Sequence, residues 1–161
     1  MVTEQNSMAA ERDRQGPDPN TGTLLLRAFQ AFQAELLDEL AKAGYGIRAK
    51  HGAVLANVDA HGTRQTLLAR RAGIGKPALG ELVDELAAMG YVARVADPAD
   101  GRAKLVVPTS TGRAAIRAAA QAIERIEARY TAQLGDAGYR RLRKALLTLV
   151  PHNAENVQPR T

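Results

Sequence analysis

Apolar residues recur at three- and four-residue steps along most of the chain and alternate in only one place. Leu25, Phe29, Phe32, Leu36 and Leu40, widened by Leu24, Leu26 and Leu37, predict an amphipathic helix beginning at Thr21 or Thr23, either of which is a suitable cap. That stripe is broader than one contact face needs. Gly44 and Gly46 end it, and Ile47, Val54, Leu55 and Val58 predict a second helix over 47–59. After a His61-Gly62 turn, Thr63 is expected to cap a short third helix that turns Leu67 and Leu68 inward. Gly73 ends this helix and Ile74 anchors the turn. Leu79, Leu82, Val83, Leu86 and Met89 then mark a fourth helix over 76–89, closed by Gly90.

Beyond Gly90 the period changes. YVARVA is short, partly alternating and rich in β-branched residues; DPADGR supplies turn chemistry through Pro98, Asp100 and Gly101; AKLVV reads as a second strand. Thr109 or Ser110 is expected to cap a long helix lined by Ile116, Ala119, Ala120, Ile123, Ile126, Tyr130 and Leu134. Gly135 and Gly138 interrupt it, and Tyr139, Leu142, Leu146 and Leu149 predict a last helix ended by Pro151. Two short helices around a glycine-containing turn make a helix-turn-helix. A following hairpin with a basic tip completes the outline of a winged helix, so the expected class is mainly α with a small β-hairpin wing.

The residues DGRAKLVVPTSTG resemble the wing signature of the multiple-antibiotic-resistance repressor (MarR) family, in which Asp-x-Arg is followed after five residues by Leu-Thr-x-x-Gly. Asp100, Arg102, Thr109 and Gly112 match, and Pro108 stands where the family usually has Leu. The resemblance runs from about Ile47 to Arg113. It implies a homodimer in which the first and last helices interleave with a second copy, binding to a pseudo-palindromic operator, and release by a small-molecule effector. The division that follows is a disordered tail over 1–20, a dimerisation helix over 21–44 and a winged helix-turn-helix over 45–108. C-terminal dimerisation helices over 109–150 and a flexible tail over 151–161 complete it.

Composition narrows the picture. The chain of 161 residues is long enough for one ordinary domain with a real core. No signal peptide and no apolar run of membrane-spanning length occurs, so a soluble cytoplasmic protein without a membrane partner is expected. With no cysteine, disulfides, thiolate zinc sites and thiol redox switching are excluded. The formal charge is +5, and most of it lies between His61 and Arg117, where nine basic residues face five acidic ones. That distribution fits an anionic partner, double-stranded DNA.

Within this frame Arg102, at the hairpin tip, is expected to enter the minor groove, braced by Asp100. Arg94 and Lys104 on the strands, with Arg64, Arg70 and Arg71 on the third helix, are phosphate-contact candidates. The fourth helix would enter the major groove. There Lys76 can reach a guanine edge or phosphate, and Pro77 suits a first helical turn. Ala78 can meet a thymine methyl and Gly80 permits close backbone approach. Glu81 either accepts from a cytosine amino group or repels the backbone. With Glu81, Asp84 and Glu85 against Lys76, this helix is net acidic. That motivates a second reading, a winged helix serving as a protein-interaction module with weak or no specific DNA binding.

The resemblance also implies a pocket between dimerisation helices and DNA-binding lobe. Its nearest candidates are Leu37, Leu40 and Leu55 as apolar wall, with Tyr45 and His51 to orient a polar group. His51 or His61 with Asp59 is the nearest approach to a metal cluster, but good ligands at i, i+4 are lacking. No metal or cofactor is expected. Asp38, Glu39, Glu124 and Glu127 read as solvated faces, as do Arg140, Arg141, Arg143 and Lys144. No phosphate loop, nucleophile elbow or zinc-hydrolase motif occurs, so no enzyme is expected.

Overall fold

Leu79, Val83 and Leu86 are completely or almost completely buried, and their spacing aims all three from one face of a helix into a common core. A computed structural model describes residues 18–150; of the tails expected over 1–20 and 151–161, all but 18–20 lies outside the described residues. The described elements run α1 (Thr21–Lys42), α2 (Ala49–Leu55), β1 (Thr63–Arg64), α3 (Gln65–Ala72), α4 (Lys76–Ala88), β2 (Val92–Asp97), β3 (Asp100–Pro108) and α5 (Ser110–Leu149). By contacts the chain divides into two units, 1–34 and 35–161, within α1.

In the first unit the described part of α1 leaves Leu24, Leu25, Leu26 and Phe29 exposed. The helix is capped by Asn20, not by a threonine: its side-chain oxygen accepts from Thr23 N at 2.9 Å.

The second unit is built around one core. Val54 and Leu55 of α2, Leu68 and Ala69 of α3, and the three α4 residues meet Tyr91, Val92, Val106 and Ala115. Three short helices thus cover one side of a small antiparallel sheet of strand order β1-β3-β2. The predicted hairpin is therefore a three-stranded sheet, because Thr63 and Arg64 pair with Val106 and Leu105. Thr63 does not cap α3. Its hydroxyl donates to Asp59 Oδ2 and accepts from Asp59 N, both at 2.9 Å, closing the turn before β1. The second helix is also shorter than expected, since Asn57 and Val58 form a turn on Val54 O.

The wing signature has a structural logic. Thr109 caps α5 by accepting from Gly112 N at 3.1 Å, and its own hydroxyl donates to Gly90 O at 2.6 Å. Gly112 is fixed by close approach: a methyl placed there would lie 3.0 Å from the Tyr91 carbonyl carbon, and closer still to its oxygen. Farther along, α5 leaves helical geometry at Gly135 (φ 68°, ψ 157°) and resumes afterwards, which is the predicted interruption. Val150 is extended, as a residue before proline prefers to be. Ala122 and Ile126 are buried on α5, while Leu134, Leu142, Leu146, Leu147, Leu149 and Val150 stay exposed. Glu39 accepts from Arg125 Nε at 3.0 Å and Nη2 at 2.8 Å, and Glu35 pairs with Arg129. The acidic face of α1 is therefore partly bonded, not simply solvated. Glu127 likewise pairs with Arg143 at 2.8 Å, whereas Arg140, Arg141 and Lys144 are exposed.

Candidate nucleic-acid interface

The helix-turn-helix consists of α3, a turn at Gly73–Gly75, and α4. Gly73 is left-handed (φ 65°, ψ 27°), and Ile74 N returns to Ala69 O at 3.0 Å, which closes α3 in the manner of a Schellman motif. Gly75 then begins α4 with Pro77 in the first turn, where its missing N–H leaves no helical bond unmade. Burial of Leu79, Val83 and Leu86 turns Lys76, Pro77, Ala78 and Glu81 outward, all exposed.

The acidity of α4 is mostly neutralised within the protein. Asp84 pairs with Arg94 of β2. Glu85 receives Arg48 Nη2 at 3.0 Å, Lys50 Nζ at 2.6 Å and His51 Nε2 at 3.0 Å. These partners, Lys50 first and then His51, hold the Glu85 carboxyl at about 2, below its ordinary 4.5. What α4 presents outward without a partner among the described residues is one cation, Lys76, and one anion, Glu81.

Gly80 is half-buried and faces α3: a methyl on it would lie 3.2 Å from Gln65 Nε2. The close approach seen in the structure is between helices. Arg71 is also turned inward. Its Nη1 donates to Asn57 O at 3.2 Å and Asp59 Oδ2 at 2.8 Å, and Arg71, ahead of Thr63, holds the Asp59 carboxyl below its usual value. Arg70, one residue earlier, is exposed with no partner among the described residues.

At the wing, Ala96 pairs with Lys104 and Asp97 with Asp100. Residues 101–103 are thus unpaired on β3, which makes Arg102 part of an outward bulge. The expected brace between the Asp100 and Arg102 side chains is absent. Instead Asp100 Oδ1 accepts from the Arg102 backbone N at 3.2 Å, leaving the Arg102 guanidinium exposed and unpaired among the described residues. Lys104 is likewise exposed. Arg64 is engaged with Asp97 at 2.6 Å through Nε and Nη2, and lies 3.7 Å from Asp100 Oδ2. Asp97, which the sequence reading did not single out, is only 7% exposed and also accepts from Ala99 N at 2.9 Å. An Asp-Pro step at a turn is the signal that could have found it.

The residues expected to line a pocket fall in ordinary packing positions. Leu40, Leu55 and His51 are buried, while Leu37 and Tyr45 are half-buried. The Tyr45 ring lies 6.5 Å from that of Tyr91 at 53°, and the Tyr91 hydroxyl accepts from Gly46 N at 3.1 Å. His51 is 0% exposed. Its Nδ1 accepts from Arg48 N at 3.2 Å, so the ring hydrogen sits on Nε2 and donates to Glu85. Both ring nitrogens are therefore occupied in capping α2 and tying it to α4. Asp59 is held by Arg71 and Thr63, and among the described residues no group of three His, Cys, Asp or Glu side chains is placed to hold a metal. No described helix is long and apolar enough to cross a membrane.

Comparison with known proteins agrees with this geometry. The MarR family sequence profile matches residues 45–103. A solved structure of the transcriptional repressor CouR bound to a 23-mer DNA duplex is 30% identical, with TM-score 0.66 over 84% of this chain and 92% of that one. CouR from Rhodococcus jostii RHA1, bound to p-coumaroyl-CoA, is 28% identical with TM-score 0.65 over 82% and 93%. A probable transcriptional regulator from Pseudomonas aeruginosa is 28% identical with TM-score 0.67 over 83% and 98%. Among curated proteins no match is found. By sequence, fold and near full-length correspondence with these regulators, the chain belongs to the MarR family of winged-helix DNA-binding transcriptional regulators.

Proposed function

We propose that the protein is a homodimeric, sequence-specific repressor that leaves its operator when a small molecule binds. The observation that carries this reading is the distribution of unpaired charge. Arg70, Lys76, Arg102 and Lys104 are exposed without partners among the described residues, whereas Asp84, Glu85, Asp97 and Asp59 are each bonded to a cation of the same chain. Phosphate contact is the use that fits such a residual surface. Arg102 from its bulge serves the minor groove, and the outward face of α4, Lys76, Pro77, Ala78 and Glu81, serves the major groove. The pairing of Asp84 and Glu85 also removes the motive for a protein-interaction module, since the acidity of α4 is largely spent internally.

Dimerisation falls to the segments 21–44 and 109–150, which carry α1 and α5 and whose exposed leucines suit burial against a second copy. An interface of about 2,000 Å² or more in total is the scale that obligate dimers need. The effector reading is supported by the relative bound to p-coumaroyl-CoA. In this chain the apolar candidates Leu37, Leu40 and Leu55 and the half-buried Tyr45 remain its proposed lining. With both nitrogens of His51 engaged, its contribution is to hold α2 against α4.

A gel-shift titration with the DNA upstream of the protein's own gene, run alongside a random-sequence duplex library, tests the function. A discrete complex with a pseudo-palindrome whose half-sites lie about one helical turn apart is expected. Binding that is equally weak on every duplex would reject it.

A further inference from the structure

We propose that Arg64 is a positioning residue for the wing and not a phosphate contact: it ties β1 to the hairpin turn through Asp97 and Asp100, and thereby fixes the bulge from which Arg102 projects. The inference rests on the DNA-binding reading above and assigns Arg64 a part within it.

The geometry is specific. Arg64 sits on the outer strand of the sheet, paired to Leu105 of β3, so its backbone is anchored to the same strand that carries Arg102. Its guanidinium crosses to the opposite strand's end, where Nε and Nη2 both reach Asp97 Oδ2 at 2.6 Å. The other Asp97 oxygen takes Ala99 N at 2.9 Å. One carboxylate thus joins β1 to the turn at the end of β2. Asp100, 3.7 Å from Arg64 Nη2, orients the bulge by accepting Arg102 N at 3.2 Å. The sequence from Arg64 to the Arg102 backbone is therefore an unbroken chain of polar contacts. The Asp97 side chain is only 8% exposed, and a carboxylate so placed needs its cation. The Ala99 amide, and then Arg64, hold its carboxyl below the ordinary value. An arginine committed in this way has its Nε and Nη2 donors on Asp97, and its planar fork is what a lysine lacks.

The two roles predict opposite signs for one substitution. If Arg64 contacts phosphate, Asp97→Asn removes a competing anion, frees the guanidinium and tightens binding. If Arg64 positions the wing, Asp97→Asn loosens the turn and weakens binding although the protein has become more positive. The experiment uses the full chain and a fluorescein-labelled duplex recovered by wild-type protein from a random-sequence library, read by anisotropy over a salt series. Asp97→Asn and Arg64→Gln are each expected to weaken binding on the order of tenfold, about 1.4 kcal/mol. The slope of log K against log salt should stay unchanged in Arg64→Gln, whereas loss of a phosphate contact from each protomer makes the dimer's slope less negative by about two. Arg64→Lys, which keeps the charge without the fork, should also weaken binding, and it decides the matter if Asp97→Asn does not fold. Tighter or equal binding by Asp97→Asn, or wild-type affinity in Arg64→Lys, overturns the assignment while leaving DNA binding intact. Recovery of no duplex by the wild type instead rejects the DNA-binding reading, and this inference falls with it.

Discussion

Replacing Gly112 with alanine should damage the junction on which the wing depends. A methyl there would sit 3.0 Å from the Tyr91 carbonyl carbon and 3.5 Å from Pro108 Cβ, and nearer still to the Tyr91 oxygen. That oxygen also accepts from Thr109 N at 3.0 Å, so α5 cannot move away without stretching the bond that starts it. Displacing the first turn of α5 also strains the Thr109 cap, worth about 1 kcal/mol. Overpacking against backbone adds about 1–3 kcal/mol. Alanine returns at most about 1 kcal/mol through its better helix propensity. The net expectation is a destabilisation of about 2 kcal/mol, measured by urea unfolding at fixed protein concentration with wild type alongside. Gly52 provides the control, because it lies in α2 with open space around its missing methyl. Gly52→Ala should be neutral or stabilising by up to about 1 kcal/mol. If the two substitutions shift the midpoint equally, the close-approach argument is wrong.

Arg70 and Arg71 should separate cleanly. Arg71→Ala removes the brace on Asn57 O and Asp59 and should cost about 1 kcal/mol in urea unfolding, while Arg70→Ala should leave stability unchanged and weaken DNA binding. Glu85 sets an acid limit. Its carboxyl sits at about 2 against an ordinary 4.5, so the stability it contributes is fully present above 4.5 and is lost as pH falls from there towards 2. Urea midpoints should be level from neutral pH to about 5 and fall below, and Glu85→Gln should flatten that fall. In light scattering, the protein should run at twice the 17.2 kDa of one chain at micromolar concentration; a stable monomer would remove the dimer from the proposed function.

Much of the second unit was legible because its signals are local and periodic. Leu79, Val83 and Leu86 mark the buried face of α4 by spacing alone, and Gly135 marks the interruption of α5. Thr109 and Gly112 stand out as a motif. What stayed hidden depends on pairing across distance. The strand at Thr63–Arg64 is two residues long, too short to alternate, so it reads as a helix start. Net charge made α4 look acidic because the partners of Asp84 and Glu85 lie elsewhere in the chain: Arg94 for the first, and the cations Arg48 and Lys50 with the His51 ring for the second. The contact of Gln65 with Gly80 is hidden in the same way, because it joins two helices. His51 looked like a free polar group for the same reason: its partners are one backbone amide and one carboxylate from another helix.

The most direct test of the account is the DNA affinity of Arg102→Ala against wild type, measured by anisotropy on the selected duplex from low to moderate salt. With roughly three to four phosphate contacts per protomer, the wild-type dimer should show a slope of log K against log salt of about −5 to −7. Arg102→Ala should bind at least about tenfold more weakly, with its mass in solution unchanged. A flat salt dependence, or equal affinity in the two proteins, would contradict the claim that this winged helix binds DNA through its wing.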